Sequence, residues 1–371
     1  MNATGEGLVT VFLCGDVMTG RGIDQILPHP SDPRIYEPVV SDARTYVQLA
    51  EEINGPIPGP VDLSYIWGDA LTELQHVEPE ARIVNLETSV TRSNERWPKG
   101  INYRMHPANV GCLTAAGIDV CVLANNHVLD YGYSGLIETL QTLHESGLKT
   151  TGAGRTPAEA RQPAVFEAAD SKVIVHGFGT ETSGIPPSWA AAEDRPGVNF
   201  LFDLSAQTAA AIEERVREVK RSGDIIIASI HWGSNWGYEV PLAYIRFAHR
   251  LIDNGVDIVH GHSSHHPRPI EVYRNRIIFY GCGDFLNDYE EIRGYEEYRA
   301  DLVLMYFATL NAASGDLIQL RMTPMQIRQL RLNRTAPRDA EWLTDRLARI
   351  SIDFGSWVEK AEDGSLFLRW D

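Results

Sequence analysis

Between residues 258 and 266 the chain reads Ile-Val-His-Gly-His-Ser-Ser-His-His, four histidines in seven residues directly after the apolar run that ends at Val259. Imidazole changes charge near neutral pH and ligates metals, so such a cluster at the end of a buried strand points to acid/base or metal chemistry. Comparable polar groups follow other apolar runs. They are Asp16 in CGDVMTGRG, Asn85 and Glu87 in VNLETSV, Asn125, Asn126, His127 and Asp130 in LANNHVLDYG, and His231 in IASIHWGSNWG. Asp, Glu, Asn and His together offer oxygen and nitrogen without sulfur, a donor set suited to Mg, Ca, Mn, Fe or Zn.

These groups act together only if the fold gathers them. Short apolar runs predict strands at 8–14, 82–85, 119–123, 164–168, 172–178, 224–230, 257–260, 270–273 and 276–280. Helical periodicity falls between them at 63–75, 107–116, 133–146, 205–221 and 242–254, several stretches ending at a glycine. This is an α/β alternation, and parallel strands in such a sheet bring their carboxyl ends to one edge, so residues from 16 to 265 can share one crevice. A Gly-Asp after a strand also makes an ordinary turn, and an Asn-His also caps a helix. Five polar clusters at five strand ends favour a common site over five separate turns and caps.

The remaining stretches are read more coarsely. Residues 26–61, rich in Pro and Gly, predict a long loop or lid, and 184–197 a second irregular segment. A strand pair is expected around Ser314-Gly315-Asp316 and a last helix at 339–350. A single domain spanning 1–371 is expected, with its core at 8–310 and an extension at 311–371.

Composition narrows the function classes. With 371 residues, 43% of them hydrophobic, the chain can bury a large core. Its net charge of −17 disfavours nucleic acid and anionic membranes as partners. The apolar stretch near the N-terminus is too short for a signal segment or a membrane span, so no membrane insertion and a cytoplasmic location are expected. Cys14, Cys112, Cys121 and Cys282 stand singly in apolar contexts, as buried small hydrophobes do, although Cys14 and Cys282 each precede a Gly-Asp pair.

The ordered set GDVMTGRG, NLETSV, ANNHVLDYG, HWGSNW, GHSSHHPRPIEVY and GCGDFLND resembles the CapA-like family, named for polyglutamate capsule synthesis, over about residues 8–310. That family is similar to the calcineurin-like metallophosphatases, which implies two packed mixed sheets flanked by helices in four layers, α/β/β/α. The resemblance implies metal ligands at Asp16, at Glu87 or less favourably Asn85, at Asn126 and His127, at His231, and at His262 with His265. Two departures stand out. Met18 occupies the place of a ligand histidine, and Asn-Leu-Glu replaces the usual Gly-Asp of the second motif. A thioether binds hard cations poorly, so one divalent ion (Ca, Mg or Mn) is expected, with no organic cofactor. In-line displacement at phosphorus gains from two ions, so a phosphatase is disfavoured.

Several imidazoles and carboxylates around one ion suit proton transfer at a carbon beside a carbonyl, where one group removes the Cα proton and another returns it on the opposite face. The CapA-like family includes intracellular epimerases of lasso-peptide precursors, so the resemblance implies a peptide epimerase with a peptide substrate. His127, His231 and His265 are the candidate acid/base groups, with Asp16, Asp130, Asp284 and Asp288 as partners. Trp232 and Trp236, together with Asp284 and Asp288, are candidate substrate contacts, and Arg21, Lys99 and Arg104 candidate binders of a peptide carboxylate. Two other classes stay open: a metal-dependent hydrolase of phosphoesters or polyglutamate amides, and a non-catalytic binding protein.

Overall fold

Strand Leu8–Val17 is buried on both faces, which its run of Val, Phe, Leu and Cys allows. It pairs antiparallel with Leu302–Asn311 on one side and parallel with Ala81–Leu86 on the other. Val120–Val122 and Lys149–Thr151 continue the parallel side. Leu317–Arg328, Leu366–Trp370 and Ser356–Lys360 continue the antiparallel side, and with Asp284–Leu286 and Arg331–Arg334 they complete a ten-stranded mixed sheet. The computed structural model describes residues 7–168, 171–290, 292 and 294–371; residues 1–6, which carry part of the reading of the N-terminus, lie outside it.

A second sheet runs in the order Phe200–Leu201, Ser171–Thr180, Ile225–His231, Ile258–His262, Arg276–Phe279 and Ile270–Tyr273, with Ala164–Ala168 on Ser171–Thr180. Its central strands are parallel. The two sheets pack face to face through Val9, Val11, Leu13, Ile83 and Val122 on one and Val173, Val175, Ile227 and Ile258 on the other. Trp67, Leu113, Leu136 and Leu140 cover the outer face of the first sheet. Helices Ala206–Val219 and Leu242–Asp253 cover the second, through Ile212, Val216, Phe247 and Leu251. Each of these side chains contributes about 1.5–3 kcal/mol when fully buried, so the two sandwiched sheets fix the frame on which the loops sit. This is the four-layer α/β/β/α arrangement expected.

Three details depart from expectation. Residues 26–61 contain helix Arg44–Asn54, whose Leu-Ala-Glu-Glu core favours helix although prolines surround it. The helix expected at 63–75 is split into a short turn, Tyr65–Trp67, and Ala70–Val77. Gly68 breaks it: its φ is +45° and a Cβ there would lie 2.0 Å from the Leu332 carbonyl oxygen. The extension set at 311–371 begins inside the main sheet, because the strand pair expected around Ser314-Gly315-Asp316 is the hairpin of Leu302–Asn311 and Leu317–Arg328. Among the described residues, no helix is long and apolar enough to cross a membrane. All four cysteines are free and buried.

Candidate functional site

The parallel strands of both sheets deliver their carboxyl-terminal residues to one edge. Asp16 is the next-to-last residue of the first strand, and Asn85, its register partner on the neighbouring strand, donates to Asp16 Oδ1 at 2.7 Å. The Ser263 amide donates to Asp16 Oδ2 at 3.1 Å, from a residue held at φ +110°, a strained conformation that persists only where surrounding contacts enforce it. His231 and His262 are register partners across the second sheet. Their Nδ1 atoms lie 2.8 Å apart, and Asp16 Oδ1 is 3.6 Å from His262 Nδ1 and 3.9 Å from His231 Nδ1.

A chain of hydrogen bonds fixes which nitrogens are bare. His260 Nε2 donates to the Cys14 carbonyl at 2.8 Å, an oxygen that only accepts, so its Nδ1 is left to accept from the Ser229 hydroxyl at 3.0 Å. Ser229 Oγ in turn accepts from His262 Nε2 at 2.9 Å, which leaves His262 Nδ1 without a proton. His231 Nε2 donates to Asn126 Oδ1 at 3.0 Å, so His231 Nδ1 is bare as well. Burial pushes both imidazoles well below their ordinary value and keeps them neutral. Two bare nitrogens and an Asp16 carboxyl oxygen thus converge within 4.8 Å, a set that is all-acceptor once Asp16 gives up its proton and then fits a cation.

Two histidine–carboxylate dyads flank this cluster. His127 Nδ1 bonds Asp130 Oδ2 at 2.6 Å, and its Nε2 points toward Glu87 Oε1, 3.7 Å away. Lys99 Nζ lies 2.6 Å from Asp130 Oδ1, and the Tyr103 amide donates to Asp130 Oδ2 at 2.5 Å. On the other side, His265 Nδ1 is 3.0 Å from both oxygens of Asp284, which also accepts from Asn287 at 2.8 Å. The dyads are joined through two tyrosines. Tyr103 stacks on His127 with ring centroids 3.7 Å apart, Tyr289 meets His265 edge-on at 6.2 Å, and the two hydroxyls are hydrogen-bonded.

The proton affinities of the two imidazoles diverge. Burial pushes His127 down to about 4, with the Lys99 charge adding to the effect against the pull of Asp130. Burial also works against charge on His265, but the adjacent Asp284 carboxylate outweighs it and raises His265 above its ordinary value. Asp16 is pushed up to about 8 by burial and by the neighbouring Asp284, and burial together with Asp16 pushes Glu87 well above the usual carboxylate range.

Of the seven expected metal ligands, Asp16, His231 and His262 come together. Asn126 instead holds the outer nitrogen of His231, Glu87 sits at the rim of the cluster, and His127 gives its Nδ1 to Asp130 and turns its Nε2 toward Glu87, outside the group of three. His265 leaves the set because the turn at Ser263 carries it over to Asp284. The expected substrate contacts also separate. Trp232 is a core residue: it is 2% exposed, stacks on Tyr244 and donates to the Tyr280 carbonyl. Asp288 is equally buried and grips Arg21 and the Gly22 amide, so it neither faces substrate nor partners a histidine. Asp284 orients His265. Trp236 is half-buried beside one dyad, 5.2 Å from the His265 ring and stacked on Tyr295 at 4.1 Å.

The three expected carboxylate binders are already engaged. Arg21 pairs with Asp288 and Glu37, Lys99 with Asp130, and Arg104 donates to the Ser93 and Asp32 carbonyls and to Asn94. Sequence reasoning missed Ser229, Tyr103 and Tyr289. Ser229 lies within its strand and gives no motif, whereas Tyr289 directly follows the Asp288 already singled out.

Residues 10–289 match the family described as bacterial capsule synthesis protein PGA_cap. The chain is 48% identical over 362 residues to a probable polyglutamine synthesis accessory protein of Mycobacterium tuberculosis, covering 97% of this chain and 95% of that one. It is 28% identical over 300 residues to the PGA biosynthesis protein CapA of Bacillus subtilis, covering 79% and 74%. Among solved structures, a 5'-nucleotidase precursor from Thermus thermophilus aligns with a TM-score of 0.48 at 13% identity, over 86% of this chain and 54% of that one. The chain belongs to the bacterial capsule synthesis protein PGA_cap family.

Proposed function

We propose that this protein is a peptide epimerase, an isomerase that inverts a Cα centre within a peptidic chain by removing a proton with one histidine and returning one from the other. The carrying observation is the pair of dyads, His127–Asp130 and His265–Asp284, linked through Tyr103 and Tyr289, with burial lowering the proton affinity of the first histidine and Asp284 raising that of the second. A pair of groups whose surroundings drive their proton affinities apart supplies a base and an acid at one pH. His127, kept neutral by burial and with Nε2 facing Glu87, takes the proton. His265, whose proton Asp284 holds more tightly than usual, gives one back. Asp130 and Asp284 orient the rings and stabilise the imidazolium that each forms in turn.

Asp16, His231 and His262 would hold one divalent ion. Two imidazoles with one carboxylate suit Mn, Zn or Fe better than the oxygen-preferring Ca or Mg, so of the three ions expected Mn is favoured. Such an ion supplies positive charge beside a substrate carbonyl. Trp236 and Tyr295 form a stacking surface next to His265 for the chain on either side of the reacting residue.

For the substrate, the names of the relatives favour a glutamine or glutamate polymer of the capsule kind over a ribosomally made lasso-type precursor, and the chemistry is the same for both. Incubation in D₂O with each peptide, followed by mass and chiral analysis, tests the reading. Deuterium at Cα with inversion supports it, chain cleavage supports the hydrolase, and unlabelled, intact peptides favour the binding protein.

A further inference from the structure

The motif GDVMTGRG ends in an arginine that the proposed chemistry does not use. Arg21 is buried, its side chain 1% exposed, and it sits at φ +44°, a left-handed conformation that a non-glycine residue rarely adopts. Its neighbours are glycines for a reason. A Cβ on Gly20 would lie 2.8 Å from the Arg104 amide, and one on Gly22 would lie 2.9 Å from Tyr46 Cβ and 3.1 Å from Asp288 Oδ2. The backbone is thus pressed in from both sides to place one guanidinium.

That guanidinium is gripped by Asp288 through Nε at 3.1 Å and through Nη2, and by Glu37 through Nη1 at 2.7 Å. Its Cζ lies over three rings: Tyr46 at 4.0 Å, Tyr103 at 4.7 Å and Tyr289 at 4.8 Å from their centroids. Tyr103 and Tyr289 are the two rings that join the dyads, one stacked on His127 and the other edge-on to His265. A flat fork that binds a carboxylate bidentately while lying on aromatic faces is specific to arginine; a lysine ammonium would keep the charge and lose both the fork and the stacking plane.

We propose that Arg21 is the positioning residue that sets the distance between the two histidine dyads, by holding Tyr103 and Tyr289 against His127 and His265. It touches neither substrate nor the reacting atoms. The first motif (Gly-Arg-Gly) and the last (Asp288-Tyr289) are, on this account, two halves of one clamp. For its catalytic consequence the inference rests on the epimerase reading; its structural content does not.

The test compares wild type, Arg21→Lys and Tyr289→Phe, the last losing only the hydroxyl contact with Tyr103. Two quantities are read on folded protein of matched secondary structure: the imidazole ¹⁵N signals of the histidines, and the ratio of inversion to Cα exchange on a glutamine peptide in D₂O. Loss of folded enzyme lowers exchange and inversion together. Misplacing one base relative to the other lowers inversion alone, and sub-ångström to ångström misplacements of reacting groups cost roughly ten- to hundredfold. Expected in Arg21→Lys are shifted His127 and His265 signals with unmoved His144 and His249 signals, and an inversion-to-exchange ratio down by roughly tenfold. Tyr289→Phe moves the same quantities by less. Unmoved His127 and His265 signals in both variants overturn the proposal whatever the activity. A wild type without Cα exchange sinks the epimerase reading instead, while the imidazole signals still decide whether Arg21 positions the dyads.

Discussion

Asp16 and Asp284 stand opposite each other on adjacent parallel strands, each one residue after a glycine. The Asp16 amide donates to the Gly283 carbonyl at 3.0 Å, an approach so close that a Cβ on Gly15 would lie 1.8 Å from that oxygen. The Cys-Gly-Asp triplet that occurs twice in the sequence is therefore one structural device used from both sides. It sets the carboxylate of the cation cluster beside the carboxylate of a dyad.

Gly15→Ala should accordingly destabilise the protein by about 3 kcal/mol or more, since neither backbone can move without opening the sheet. Urea unfolding followed by circular dichroism checks this. Gly100→Ala, at a site with open space around the added Cβ, serves as the control and should leave the midpoint unchanged.

The buried carboxylates make stability depend on pH in a definite direction. Folded Asp16 keeps its proton up to about 8, whereas the unfolded chain releases it near 3.8, so the folded state holds the extra proton between those values and stability falls as pH rises through that window. Asp16→Asn should flatten the loss in chelator-treated protein, Glu87 retaining a slope of the same sign. Melting temperatures of both proteins from about pH 5 to about pH 8.5 decide it; parallel curves would mean that Asp16 ionises normally.

Single replacements in the dyads should separate the two roles. His127→Gln and His265→Gln should each lower turnover by about 10²–10⁴-fold, the range for loss of a general acid or base. Each should retain exchange with one stereoisomer of the substrate residue and lose it with the other. The acid limb of the wild-type pH profile should reflect His127, pushed down to about 4, and the alkaline limb His265, raised by Asp284.

Ser229→Ala tests the tautomer relay. It removes the hydroxyl that fixes the His262 proton on Nε2 and should weaken Mn²⁺ or Zn²⁺ binding by about 10–100-fold, as losses of such outer partners do. His262→Ala should abolish tight binding, and Asp284→Asn should leave it nearly intact. Calorimetric titration of the metal-free protein reads all three.

The strand ends were legible in sequence because fully buried parallel strands announce themselves as apolar runs, and Asp16, His127, His231 and His262 each follow one. Which of them share a ligand atom was not legible, since it depends on side-chain direction. His265 lies three residues past His262, yet the Ser263 turn sends it to a different carboxylate. Trp232 and Trp236 looked alike as aromatics beside His231, but strand alternation drives Trp232 into the helix-covered core and leaves Trp236 in the loop. Helix Arg44–Asn54 was hidden by the prolines around it. Arg21 read as a free cation because Asp288, Glu37 and the three tyrosines that enclose it come from segments up to 268 residues away, as the Tyr289 contact shows.

The most direct test of the account is mass spectrometry of glutamine, glutamate and lasso-precursor peptides incubated with Mn²⁺-loaded protein in D₂O, with chelated protein and His127→Gln alongside. The account predicts deuterium at one Cα of an intact peptide, with inversion at that centre, reduced by chelation and, for the stereoisomer that His127 deprotonates, lost in His127→Gln. Peptide fragments without Cα deuterium would contradict it.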